Sequence, residues 1–349
     1  MAVEQHHPTY AITESDVNIR ILSTINELHL RYRDLDEGTV AGYIPELSKV
    51  DPDLFAISVV TTDGKLYSVG DDEHAFTLQS LANPFIFGMV LDELGRERVR
   101  QFVGVEPTGN PFNAIVLDRQ TNRPMNPMVN AGAIAVTGLV PGNDPTDRLN
   151  RMLAALGRYM GGAPQVDIEV FMSEKSTGDR NRSIAYLMRN FGTLTRDINE
   201  VLDQYFQQCA VSVNCRNLAC MAATMAAGGV NPHTGERAIS RAALRDVLTI
   251  MYTCGLYESS GRWVHTVGIP AKSGVGGGLM AVVPGRMGIA IFSPRLDSQG
   301  NSVRGVRVCT DLARQLNLHL FVAGGDTAPA VAPIDQPPGT DDTSIAQRT

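Results

Sequence analysis

The strand-forming residues of this chain sit near its two ends, and that separation limits the fold more than any other feature. Leu54 to Asp71 reads as a β-hairpin: Phe55-Ala56-Ile57-Ser58-Val59-Val60, a turn at Asp63-Gly64, then Leu66-Tyr67-Ser68-Val69. Strand character returns only late, where Gly278 to Val283 and Met287 to Phe292 flank Pro284-Gly285-Arg286. Between the hairpins the sequence is rich in Ala, Leu and Met at helical spacing. An antiparallel sheet assembled from both ends of the chain, flanked by helices and with a helical block inserted, satisfies this order and gives an α+β fold. The active cleft is expected between the two parts.

The periodicity predicts helices around this sheet. Thr13 to about Arg33 opens with a capping pair, Thr13 and Asp16, and puts Val17, Ile21, Ile25, Leu28 and Tyr32 on one face. A short helix is expected over Tyr43 to Val50, and a longer one over Leu78 to Leu94. Others are expected over Asp147–Tyr159, Arg182–Asn190, Asp197–Cys209, Cys215–Ala227 and Ser240–Thr253, with a last one from about Arg304 to Phe321. Gly324 to Thr349, rich in Pro, Gly, Asp and Thr, is expected to be disordered. This gives one domain over 1–322, its sheet part about 10–80 and 265–322 and its helical part about 81–264, then a tail over 323–349.

Composition excludes some functions. Of 349 residues 43% are hydrophobic and 19% charged, with a formal net charge of −7 and no basic cluster, so neither nucleic acid nor an anionic membrane is an expected partner. No apolar run reaches the roughly 18 residues of a membrane span, and the first ten residues have no apolar core of a secretory signal. Five cysteines without C-x-x-C spacing read as buried thiols in a reducing cytoplasm. The seven histidines form no metal-ligand pattern, so no metal is expected.

Four segments carry polar chemistry. Ser80, in Leu78-Gln79-Ser80-Leu81-Ala82-Asn83-Pro84, falls where strand gives way to helix, so its oxygen is either a nucleophile near the positive helix end or an N-cap. Asn130 sits among small residues in Pro127-Met128-Val129-Asn130-Ala131-Gly132-Ala133, either presenting an amide or closing a turn. The polar run from Ser173 to Arg182 reads as a solvated loop or, through Glu174 and Asn181, as a site for an amino-acid head group, Glu174 facing ammonium and Asn181 carboxylate. Pro270-Ala271-Lys272-Ser273-Gly274-Val275, entering an edge strand, is similar to the Lys-Thr-Gly element of β-lactamases and penicillin-binding proteins, where an exposed N–H joins an oxyanion hole. A dinucleotide loop does not fit, because a strand follows these glycines. Gly104 to Pro111, with its glycines and prolines, is expected to be a mobile lid.

Taken together, these segments resemble the serine-dependent glutaminases. The match runs through Leu78-Gln79-Ser80, Gly104-Val105-Glu106-Pro107-Thr108-Gly109, Asn126 to Ala133, Ser176 to Asn181, Asn231-Pro232-His233-Thr234-Gly235-Glu236 and Pro270 to Val275, in one order over about residues 10 to 322. The resemblance implies a β-lactamase/transpeptidase-like fold and hydrolysis of L-glutamine to glutamate and ammonia, with no cofactor. It implies Ser80 as nucleophile, the Ser80 and Val275 N–H groups as oxyanion hole, and Asn130, Glu174, Asn181 and Tyr205 as substrate contacts. Tyr257 would exchange protons with nucleophile and leaving group, Tyr43 would close the pocket, and Lys272 would support the electrostatics. A cytoplasmic homo-oligomer, dimer or tetramer, is the expected form.

One position departs from the family. Where the family carries Ser-x-x-Lys, this chain has Asn83, and an amide is no proton acceptor for a serine hydroxyl. Binding is expected to persist and turnover to fall. Two other readings remain at this point: a non-catalytic glutamine-binding protein, and an acyl-serine enzyme acting on β-lactams or peptides, against which Glu174 with Asn181 argues for a free amino acid.

Overall fold

The structure is a computed structural model that describes residues 14–322; the Thr13 cap and the 323–349 tail lie outside these. α1 (Glu14–Tyr32) leads through a 3-10 turn (Leu47–Lys49) into the hairpin of β1 (Ala56–Thr61) and β2 (Leu66–Gly70). The short β3 (Phe76–Thr77) and a 3-10 turn (Gln79–Ala82) precede α2 (Asn83–Leu94) and α3 (Arg96–Val99). Next come α4 (Asn130–Leu139), α5 (Pro145–Met160), β4 (Gln165–Val166), α6 (Ile168–Thr177), α7 (Asp179–Asn190) and α8 (Ile198–Cys209). They are followed by β5 (Val211–Val213), α9 (Cys215–Ala226), α10 (Arg241–Cys254) and α11 (Ser260–Thr266). Then β6 (Ala271–Ser273), β7 (Gly278–Val283), β8 (Met287–Phe292) and α12 (Val303–Gln315) complete the fold. Among the described residues no helix is long and apolar enough to cross a membrane.

The main sheet has the order β2-β1-β8-β7-β6, antiparallel throughout. The two sequence-distant hairpins meet at β1 and β8, Ile57 opposite Ile291. The alternation of side chains sends one set to each face. Ile57, Val59, Leu279, Ala281, Ile289 and Ile291 pack under α1 and α12, on Ile21, Ile25, Leu28, Val308 and Leu312. Ala56, Val60, Met280, Val282, Ala290 and Phe292 pack against α9 and α2. Covered on both faces, β7 and β8 are buried at every residue. The alanines of α9 let its backbone approach the sheet so closely that a Cβ on Gly288 would lie 2.1 Å from the Ala223 nitrogen. Helices α4, α7 and α8 form a separate apolar cluster around Ile134, Ile184, Met188 and Phe206.

Several expected elements differ. Tyr43 to Val50 holds only a 3-10 turn, because Pro45 disfavours helical backbone at the residue before it and supplies no N–H. The helix expected from Leu78 starts at Asn83, after the 3-10 turn. The last helix stops at Gln315: Asn317 takes φ +50, and the Leu318 N–H folds back to the Ala313 carbonyl at 2.9 Å. The polar run at Ser173 to Arg182 is the end of α6 and the start of α7, broken at Gly178, rather than a loop. Helices α4 and α11 and the small sheet β3-β5-β4 have no counterpart in the pattern reading.

Candidate active site

Ser80 stands on a strained turn. The Leu78 N–H donates to the Val211 carbonyl at 2.9 Å, so the chain leaves the small sheet at a fixed point. Gln79 then takes φ +52, a left-handed value that costs a side-chain-bearing residue about 1–3 kcal/mol. Its amide holds this geometry by donating to Thr77 Oγ1 at 3.1 Å and to Glu174 Oε1 at 2.6 Å. Ser80 follows, buried, near enough to Tyr257 for its hydroxyl to act on the phenol. The turn is closed by the Leu81 N–H on the Leu78 carbonyl at 3.0 Å, not by the Ser80 N–H.

The Lys272 to Gly278 segment is packed on this turn by its small residues. A Cβ on Gly274 would meet the Leu78 carbonyl oxygen at 2.8 Å, and one on Gly276 the Thr77 oxygen at 3.0 Å. The Gly274 N–H bonds to Gly278 and the Gly277 N–H to Gly274, and the intervening Val275 N–H enters neither bond. This is the disposition an oxyanion donor requires.

Tyr257 and Lys272 form one buried unit. Tyr257 follows the end of α10, with φ +56. Its hydroxyl donates to the Ser273 carbonyl at 3.1 Å. Lys272, fully buried on edge strand β6, donates from Nζ to Tyr257 Oη at 3.0 Å and to the Ser273 carbonyl at 2.7 Å. Burial pushes Lys272 well below the ordinary lysine range, which favours the neutral amine. Burial raises the Tyr257 phenol to about 12, against the opposing pull of Ser80 and Ser273.

The head-group candidates cluster around α4, α6 and α7. Glu174 is buried, and burial raises its carboxyl to about 8, with the Gln79 bond opposing. Asn130 Nδ2 donates to Asn181 Oδ1 at 2.9 Å. Tyr205 is buried beside Cys209 and within the field of Glu174; burial holds its phenol well above the usual range. Tyr43 is 53% exposed, yet its hydroxyl end is close enough to Tyr257 and Glu174 for both to act on it. Apart from Tyr205, which does not line it, these residues border a small cavity of about 70 Å³ lined by Tyr43, Asn130, Glu174, Asn181, Phe112 and Phe206 among others.

Ser80, Tyr257, Lys272 and Val275 do not line that cavity. Phe112 touches both sides: it lines the cavity, its ring lies 4.9 Å from that of Tyr257, and its carbonyl accepts from the Asn130 N–H at 3.0 Å. Asn83 lies one turn beyond Ser80, its N–H bonded to the Ser80 carbonyl. Its side chain is buried: Nδ2 donates to the Met128 carbonyl at 3.3 Å, and Oδ1 has no partner. The sequence reading also missed Gln79, Phe112 and Asn301, which accepts from Ser273 Oγ at 2.6 Å. Only Gln79 carried a signal, its place beside Ser80. Nothing in the sequence marks its backbone conformation or its bond to Glu174.

A sequence model of the glutaminase family matches residues 38–321. A glutaminase of Nostoc sp. is 59% identical over 311 residues, spanning 88% of this chain and 93% of that protein. One of Microcystis aeruginosa is 54% identical, over 85% and 88%. Among solved structures, a probable glutaminase, ybaS, superposes with TM-score 0.85 at 40% identity, over 87% of this chain and 99% of that one. Mglu in its glutamate form superposes with TM-score 0.84, also at 40% identity, over 87% and 71%.

Proposed function

This chain belongs to the glutaminase family and has its β-lactamase-like fold, and from that premise we propose that it hydrolyses L-glutamine to glutamate and ammonia through an acyl-Ser80 intermediate. The observation that carries the reading is the 2.6 Å bond between Gln79 and Glu174, which ties a buried carboxylate to the residue preceding the nucleophile. A carboxylate at that place meets the ammonium of a free amino acid while its side-chain amide reaches Ser80.

In this reading Ser80 Oγ attacks the carboxamide carbon, and the Ser80 and Val275 N–H groups stabilise the oxyanion. Tyr257 relays a proton from the serine to the departing nitrogen, accepting one on Oη as its own is passed on. Asn130, Asn181 and Tyr205 complete the head-group contacts, and Tyr43 closes the pocket. The residues over 1–322 act as one unit, a sheet part and a helical part with the site between. A homo-oligomer is part of the same proposal, and sedimentation tests it. Five free, buried cysteines support a cytoplasmic setting.

The test is a coupled assay for glutamate and ammonia with glutamine, with Ser80→Ala as control. Release no faster than the control, together with no calorimetric binding of glutamine, would sink the reading. A second reading, binding without turnover, is favoured by one feature: Asn83 in place of the family lysine, its Oδ1 unpartnered. Binding with no release would select it.

A further inference from the structure

Residue 83 cannot accept the serine proton, yet the structure holds a second amine beside Tyr257. We infer that Lys272 is the terminal proton acceptor of this chain, drawing the Ser80 proton through Tyr257 and so doing part of the work lost at position 83. The inference rests on the glutaminase reading and assigns Lys272 a function within it.

Three geometric facts carry it. Lys272 Nζ lies 3.0 Å from Tyr257 Oη, and Ser80 is near enough to act on the same phenol. The Ser273 carbonyl, 2.7 Å from Nζ, is a fixed acceptor that stabilises the ammonium once formed. Lys272 is fully buried, its bonded partners are the Tyr257 hydroxyl and the Ser273 carbonyl, and no carboxylate pairs with it among the described residues to hold it protonated. The other titratable groups acting on this pair are Cys209, whose thiol burial pushes far up, and, around them, Glu174 and Tyr43. A neutral amine at that distance has a lone pair for the phenol proton.

The step balances. As the Ser80 Oγ–C bond forms and the carbonyl π pair moves to oxygen, the serine proton passes to Tyr257 Oη and the phenol proton to Lys272 Nζ. On collapse the C–N bond breaks, the nitrogen takes the proton from Tyr257, and Lys272 restores the phenol. Water repeats the sequence on the acyl-serine, releasing glutamate. Without an acceptor behind it, the neutral Tyr257 phenol could not take the serine proton, because it would have nowhere to send its own.

The test compares Lys272→Met in two backgrounds, the parent chain and Asn83→Lys. If Lys272 is the acceptor, the substitution lowers kcat by about 10²-fold or more in the parent and by about tenfold or less with Lys at 83, where the family base takes over. Met fills the buried space without a charge, so the melting temperature should hold or rise. In a second arm, methylamine should speed Lys272→Ala in the parent background, a rescue that a purely structural role would not give. Equal losses in the two backgrounds, an undiminished Lys272→Met in the parent, or a rate unmoved by methylamine would overturn the inference. A parent chain without turnover beside an active Asn83→Lys would overturn it too, and leave the glutaminase reading standing. Absence of both binding and turnover from every variant would sink that reading itself.

Discussion

The two ends of the site differ in kind. At the head-group end, Glu174, Asn130, Asn181 and Tyr205 are set on α4, α6, α7 and α8, and all are bonded or packed without reference to position 83. At the chemical end, Ser80, Tyr257 and Lys272 sit on a strained turn, a left-handed residue and an edge strand, and Asn83 leaves one buried oxygen unpaired there. On the proposed reading, recognition would rest on regular helices and proton transfer on strained backbone and a buried amine. The difference teaches that, on this reading, binding and turnover should be separable, because different elements hold the groups assigned to each.

The sharpest way to break that comparison is Ser80→Ala. It should lower turnover by about 10⁴-fold or more, with glutamine affinity and melting temperature little changed. Turnover equal to the parent would remove Ser80 from the nucleophile role, and a parallel loss of binding would merge the two ends.

Asn83→Lys should act in the opposite direction. A general base contributes roughly 10²–10⁴-fold. If Lys272 covers part of that task, a gain in kcat near the lower bound is expected, with glutamine affinity unchanged. Stopped-time glutamate assays across substrate concentrations separate the two quantities. An unaltered kcat would mean that position 83 carries no proton work here.

Glu174→Gln probes the recognition end. Glutamine binding should weaken by about 1.5–3 kcal/mol, the range for a hydrogen bond to a charged group. The carboxyl is raised to about 8 in the fold against about 4.3 in an unfolded chain. The stability this gives is fully present below the unfolded value and is lost as pH rises through the folded one. The parent should therefore melt progressively lower than Glu174→Gln between about pH 5 and 8, and glutamine binding near neutrality should release a proton as Glu174 ionises against the ammonium. Melting curves that track each other over that range, or calorimetric heats independent of buffer, would contradict this environment.

The smallest effect concerns access. Phe112 lines the cavity and packs on Tyr257, so on the proposed reading the segment leading to it is the candidate to move as substrate enters. Backbone amides of Gly104 to Pro111 should exchange faster than those of β7 and β8, and slow when glutamine binds. Exchange as slow as the core strands in both states would rule out the lid.

Legibility followed the range of the interactions. The hairpins could be read because period-two patterning and the Gly64 and Gly285 turns are local, and β7 and β8 have the expected bounds. Helix α6 was hidden because Ser173 to Thr177 is polar on a segment whose burial is concentrated at Val170 and Glu174. Helix α4 was hidden because its small residues carry little periodicity while being buried throughout the first turns. The site residues were named mainly through family motifs. Ser80 alone is indistinguishable from a capping serine, and a single tyrosine such as Tyr257 from a packed aromatic.

By itself, the sequence determined the sheet-forming segments, the helical insert between them, the motif order and the asparagine at position 83. These are properties of residue identity and short-range pattern. Tertiary structure alone decided that Gln79 would take a left-handed turn to reach Glu174, that Phe112 would line the cavity and pack on Tyr257, and that Lys272 would lie 3.0 Å from the Tyr257 hydroxyl. The physical reason is that burial and hydrogen bonding between distant segments set both the strain a backbone can hold and the protonation state a side chain adopts.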